Sequence, residues 1–288
     1  MGPGFRRDDS GVGETVNDTS TLTNISGTVV LAGAGKMGGA MLAGWLAGGL
    51  PPARIVVVEP TPSSEISALT AKGIRLNPQG TGVADTLVIA VKPQSFREAG
   101  PTLRSFTGVD TLVVSIMAGM TIASLQEICG GAIVRAMPNT PAAIGRGITV
   151  AVPARNVSAA QRITADALLA ATGAVEWVED EVLMDAVTAV SGSGPAYVFL
   201  LAEELARAGQ AAGLPAELAG KLARETVAGS GELLRRSELS PASLRQNVTS
   251  PGGTTAAALT VLMGEDGLQQ LMRRAVAAAT ARSKELAK

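Results

Sequence analysis

Thr28-Val29-Val30-Leu31-Ala32-Gly33-Ala34-Gly35-Lys36-Met37-Gly38-Gly39 decides the fold. Four apolar residues, Val29 to Ala32, run without a polar break into Gly33, Gly35 and Gly38, and Ala40 to Leu46 then turns helical. In the order strand, tight turn, helix, each glycine of the G-x-G-x-x-G spacing has a mechanical task. Gly33 permits the sharp turn, Gly35 lets a pyrophosphate approach bare backbone, and Gly38 lets the helix lie close to the strand. The start of the helix directs its free N–H groups at that phosphate. A second β-branched run, Ile55 to Val58, ends in Glu59, 21 residues after Gly38, where a carboxylate can accept both ribose hydroxyls of an adenosine. The spacing predicts a dinucleotide site, with a plain glycine turn on a similar fold as the alternative.

Outward from this stretch, short apolar runs alternate with helical ones as far as about Val152, the mark of a parallel sheet wound by crossover helices. The predicted strands are Val29 to Gly33, Ile55 to Glu59, Thr86 to Val91, Thr111 to Ile116 and Ile133 to Met137, with Ile148 to Val152 as an edge strand. Ligands of such sheets collect beyond the carboxyl ends of the strands. That draws attention to Lys92-Pro93-Gln94, Met117-Ala118-Gly119 and Pro138-Asn139-Thr140-Pro141. Lys92 reads either as a solvated loop lysine or as a cofactor contact. Asn139 and Thr140 read either as local caps or as ligand contacts.

Past Pro153 the long Ala, Leu, Glu and Arg stretches take a helical period over Ala159 to Ala171, Pro195 to Ala212, Pro215 to Arg236 and Gly267 to Ala287. The predicted class is therefore α/β, a Rossmann-type parallel sheet domain over 26–153 followed by an all-α domain over 154–288. Pro195 to Ala212 carries so little charge that it must be covered, which suggests packing against another subunit. Two glycine-rich stretches, Ser191 to Pro195 and Ser250 to Thr255, each precede a helix, and Thr254 and Thr255 can cap the run Ala256 to Leu262. Each is read as a loop with unpaired N–H groups that suits a carboxylate ligand.

Composition narrows the chemistry. The chain has 288 residues, 46% of them hydrophobic, a net charge of −1, no histidine and one cysteine. Ser-His-Asp and Cys-His nucleophiles, histidine metal sites and disulfides are thereby excluded, and no metal site is expected. Nothing in the charge points to nucleic acid. Cys129 reads as a small buried hydrophobe. Residues 1–25 carry few large apolar side chains and are expected to form a disordered tail. Without an apolar run of about 18 residues no membrane span is expected, and the expected location is the cytoplasm.

Five motifs in order carry a family resemblance: GAGKMG (Gly33–Gly38), AVKP (Ala90–Pro93), RAMPNTPA (Arg135–Ala142), DAVTAVSGSGPAY (Asp185–Tyr197) and SPGGTT (Ser250–Thr255). From Thr28 to the last helix the chain resembles pyrroline-5-carboxylate reductase. The resemblance implies hydride transfer from NADPH or NADH to the C=N carbon of 1-pyrroline-5-carboxylate, giving L-proline in the last step of proline biosynthesis. It implies a homodimer with the active site at its interface, in many members a ring of dimers. Cofactor contacts carried over are Gly33, Gly35, Lys36, Met37, Gly38, Glu59, Ala90, Val91, Lys92, Pro93, Ala118 and Asn139. Substrate contacts carried over are Val248, Ser250, Gly252, Gly253, Thr254 and Thr255, with Glu238 nearby, and Thr255 is the catalytic candidate. A protonated cyclic imine is already electrophilic, so orientation suffices and the missing histidine is no obstacle. Glu59 favours NADH, whereas Thr61, Ser63 and Ser64 directly after it could take the 2′-phosphate of NADPH, and the sequence leaves both open. A β-hydroxyacid dehydrogenase is the nearest rival, but it needs an asparagine four residues after its lysine, and Lys221 is followed there by Glu225.

Overall fold

The computed structural model describes residues 20–80 and 82–286. The expected disordered tail lies outside them for residues 1–19. For 20–25 the expectation is corrected: Ser20–Thr23 forms a helical turn (α1), and Leu22 and Ile25 are buried in the core. Gly48 makes room for this segment, since a Cβ there would sit 2.3 Å from Leu22.

Eight strands form one sheet: β1 (Val29–Ala32), β2 (Ile55–Val58), β3 (Arg75–Leu76), β4 (Thr86–Ile89), β5 (Leu112–Ser115), β6 (Ala132–Met137), β7 (Gly147–Pro153) and β8 (Gly173–Trp177). Their order is β3-β2-β1-β4-β5-β6-β7-β8, and every pair is parallel except β6–β7. Side chains alternate between two buried layers, as the period of a strand requires. Val29, Leu31, Val57, Val114 and Val134 pack with α2 (Lys36–Ala47), α3 (Ser64–Ala68) and α6 (Ala159–Ala170). Val30, Ile89, Val113 and Ile133 pack with α4 (Pro93–Arg104) and α5 (Ile122–Cys129) on the other face. Both indoles are tied to α6. The Trp45 N–H donates to the Leu168 carbonyl, and the Trp177 N–H donates to the Asp166 carboxylate, each at 2.8 Å.

The expected change of domain at 153 falls inside this sheet. β7 continues through α6 into β8, which pairs with it in parallel over Gly147–Ala151, so the sheet unit reaches Trp177 and β8 forms the edge. The Gly-Ala-Val-Glu-Trp run is half exposed and lacks the continuous apolar character of the inner strands.

The helical part begins with α7 (Met184–Val187) and continues through a π-helical turn, Thr188–Gly192, into α8 (Gly194–Ala211). Then follow α9 (Ala216–Arg236), α10 (Pro241–Asn247), α11 (Thr254–Leu262) and α12 (Leu268–Leu286). α8 packs on α9, and α12 returns to α7 and the π-turn, where the Ser283 hydroxyl donates to Asp185 at 2.7 Å. No residue of α8 is buried, and Val198, Phe199, Leu200, Leu201 and Leu205 all face outward. Among the described residues no helix is long and apolar enough to cross a membrane.

Candidate functional site

The glycine turn has the geometry its spacing predicts. Gly33 lies at φ +91°, where a Cβ would meet the Ala90 backbone at 2.7 Å, and a Cβ on Gly38 would sit 2.1 Å from the Gly33 carbonyl oxygen. Gly35 is the opposite case: nothing lies within 4 Å of the position a Cβ would take. It stands at the N-cap of α2 with no side chain closing it, so the α2 amides stay open to a ligand. This bare face fits the pyrophosphate of a dinucleotide, with Lys36 exposed and Met37 half-buried beside it.

Glu59 closes the far side of the turn. One carboxylate oxygen accepts the Ala34 N–H at 2.8 Å and the other the Thr61 N–H at 3.1 Å. Asn77 brackets the same residue, accepting its N–H and donating to its carbonyl, each at 2.9 Å. Asn77 has φ 45°, which makes it the described non-glycine residue with positive φ. Residue patterns missed Asn77, although asparagine directly before Pro78 after a short strand is a usual left-handed turn residue. Beside the turn an open groove of about 890 Å³ is lined by Gly35, Lys36, Ala40, Ser63, Glu65 and Lys72.

Ala90 and Val91 follow β4 directly against Gly33, and Lys92 is the exposed N-cap of α4 with Pro93 at its first position. Ala118 lies beyond β5, where a second cavity of about 740 Å³ runs between Pro93 and Gly119. Leu286 at the end of α12 reaches this cavity, 3.3 Å from where a Gly119 Cβ would stand. Asn139 follows β6, but its amide is occupied locally: it accepts from the Ile148 N–H at 3.0 Å and donates to the Ser191 hydroxyl at 3.3 Å. The cofactor candidates thus converge on the carboxyl ends of β1, β2, β4, β5 and β6.

The two glycine-rich stretches part company. Ser191 to Pro195 is not a loop with free amides but the π-turn and the start of α8, where the Ser193 N–H donates to Thr188 O at 2.8 Å. Gly192 is needed for packing, since a Cβ there would be 2.4 Å from the Met137 side chain. Ser250 to Gly253 is an exposed bend with Gly252 at φ +70° and open space around it. The cap of α11 is Gly253 rather than a threonine, which corrects the expected Thr254 or Thr255 cap and leaves both hydroxyls unused by the helix. The Thr254, Thr255 and Ala256 amides have no intrahelical acceptor at this helix start. Val248 is 65% exposed, and Glu238 is exposed in the connection between α9 and α10. Within one chain this substrate cluster lies on and beside α10 and α11, and among the described residues neither helix makes an extensive contact with a strand of the sheet.

Arg135, buried on β6, donates to Glu181 at 2.8 Å, and the same Glu181 oxygen accepts the Ile122 N–H at 2.8 Å. This pin, which residue patterns did not reveal, joins the sheet, α5 and the entry to the helical part.

A family model described as pyrroline-5-carboxylate reductase dimerisation matches residues 181–286, and one described as NADP oxidoreductase, coenzyme F420-dependent, matches residues 28–119. A pyrroline-5-carboxylate reductase of Pseudomonas aeruginosa is 39% identical, over 90% of this chain and 96% of its own length. That of Synechocystis is 41% identical, over 90% and 97%. Among solved structures, the reductase of Coxiella burnetii superposes with a TM-score of 0.82 at 35% identity, covering 92% of this chain and all of the other. A Plasmodium falciparum pyrroline carboxylate reductase with NADP bound gives 0.75 at 29% identity, covering 91% of this chain and 99% of its own.

Proposed function

This chain belongs to the pyrroline-5-carboxylate reductase family and reduces 1-pyrroline-5-carboxylate to L-proline with NAD(P)H, and we propose that each active site joins the sheet of one protomer to the SPGGTT bend of its partner. The observation that carries the proposal is the isolation of that bend: its open amides and unused hydroxyls lie at the start of a helix that, among the described residues, makes no extensive contact with its own sheet. The uncovered apolar faces of α8 and α9 supply the surface on which two copies interlock.

In this reading the chain divides near Trp177 into a nucleotide half and a helical half. The turn Gly33 to Gly38 holds the pyrophosphate, Glu59 the adenosine ribose, and Ala90 to Pro93 with Ala118 the nicotinamide side. Asn139 contributes through its backbone and by anchoring the π-turn. Bound reduced nicotinamide supplies the hydride. The Gly252, Thr254 and Thr255 amides hold the substrate carboxylate at a helix start, where negative charge is favoured, while the Gly253 N–H closes the bend on Ser250 O at 3.1 Å. The Thr255 hydroxyl accepts a hydrogen bond from the protonated ring nitrogen, fixing which carbon faces the nicotinamide. Val248 and Ser250 shape the ring pocket, with Glu238 at its rim. No acid–base side chain is required, because the imine enters protonated and the product amine keeps that proton.

A complementation experiment tests the shared site. Gly35→Val fills the open face of the turn and blocks nucleotide, while Thr255→Val disables the bend. Each variant alone has low activity. Unfolding and refolding them together restores about a quarter of wild-type activity, because half the dimers are mixed and each of those carries one intact site. Activity no higher than that of the separate variants places both halves of the site in one chain and rejects the proposal.

A further inference from the structure

The reading of the turn as a nucleotide site leaves open which nicotinamide cofactor it selects, and the inference below rests on that reading. We infer that this chain selects NADH over NADPH through Glu59. The carboxylate stands at the end of β2, the position that meets the adenosine ribose in a dinucleotide fold. It is not free to move aside. The Ala34 and Thr61 N–H groups hold one oxygen each, and the bracket from Asn77 fixes the backbone beneath it. Each carboxylate oxygen has two acceptor positions, so one on each oxygen remains for the ribose 2′- and 3′-hydroxyls.

A 2′-phosphate would bring a charge of about −1.5 to −2 against this fixed anion. To avoid it, the side chain would have to give up both backbone donors. Two of the groups that could have received the phosphate are already engaged. The Thr61 N–H points to Glu59 itself, and the Ser63 hydroxyl accepts the Ile66 N–H as the cap of α3. Lys36 and Lys72 line the neighbouring groove together with Glu65, which offsets part of their charge.

Calorimetric titration of the purified protein with NADH and with NADPH tests the inference, with no turnover involved. The expected result is NADH bound at least about tenfold more tightly. Glu59→Gln keeps the shape and the contact with the turn but removes the charge, and it should bring the two affinities within about threefold of each other while still binding NADH. NADPH bound as tightly as NADH by the wild-type protein, or an unchanged ratio in Glu59→Gln, overturns the inference and leaves the site standing. Binding of neither nucleotide overturns the site as well.

Discussion

The Thr255 hydroxyl makes no cap, and in the proposed site it has one task, holding the ring nitrogen. A hydrogen bond to a charged group is worth about 1.5–3 kcal/mol. Thr255→Val should therefore lower kcat/KM about tenfold to a hundredfold, measured by steady-state kinetics. Unchanged turnover removes the hydroxyl from the mechanism. Cys129 illustrates a residue whose chemistry is silenced: burial pushes its thiol up to about 11 from 9.0, against a smaller opposing effect of Arg104. Between those two pH values the unfolded chain has released a proton that the native chain retains. Stability therefore falls as pH rises through that window, by about 3 kcal/mol, with no contribution below it. Urea denaturation of wild type and Cys129→Ala at pH 8 and pH 11 checks this, the wild type losing more. The glycine roles were legible because each depends on a backbone conformation or a close approach that only glycine tolerates. The Asn77 bracket was not legible, because it joins two positions 18 residues apart through a hydrogen bond that leaves no periodic trace.

Elements are joined here by a few polar pins. Glu181 binds both the buried Arg135 and the first amide of α5, so Glu181→Ala leaves a guanidinium without its counter-charge and should cost about 3 kcal/mol in chemical denaturation. Loss of less than about 1 kcal/mol would mean that the pair is solvated and does not pin the parts together. The inner strands were readable because both their faces are covered, which demands unbroken apolar runs. β8 was not, because an edge strand with half-exposed residues carries no such run, and the helix before it resembles those of the other half. The stretch Ser191 to Pro195 was misread for a related reason. Glycine and proline usually punctuate a chain, yet here Gly192 serves close packing on Met137 inside a continuous helical path, and Pro195 sits harmlessly near a helix start.

At the scale of the whole molecule, apolar side chains stand exposed on α8, α9 and α11, and in the proposed dimer the second copy covers them. Folding of the helical half is then linked to association, and Tm should rise with protein concentration in scanning calorimetry, because a partner binds the native state alone. A Tm independent of concentration would indicate that one protomer is stable unaided. The arrangement of the two halves was legible from composition, whereas the separation of the SPGGTT bend from its own sheet is a property of packing that no local pattern encodes. The tie of both indoles to one helix, α6, has an optical consequence. The chain has two tryptophans, Trp45 and Trp177, both within the sheet unit, and its one tyrosine lies on α8. Emission excited in the indole band therefore reports the sheet half alone, while far-ultraviolet dichroism is weighted toward the long helices, and any mismatch between the two melting traces measures how independently the halves come apart.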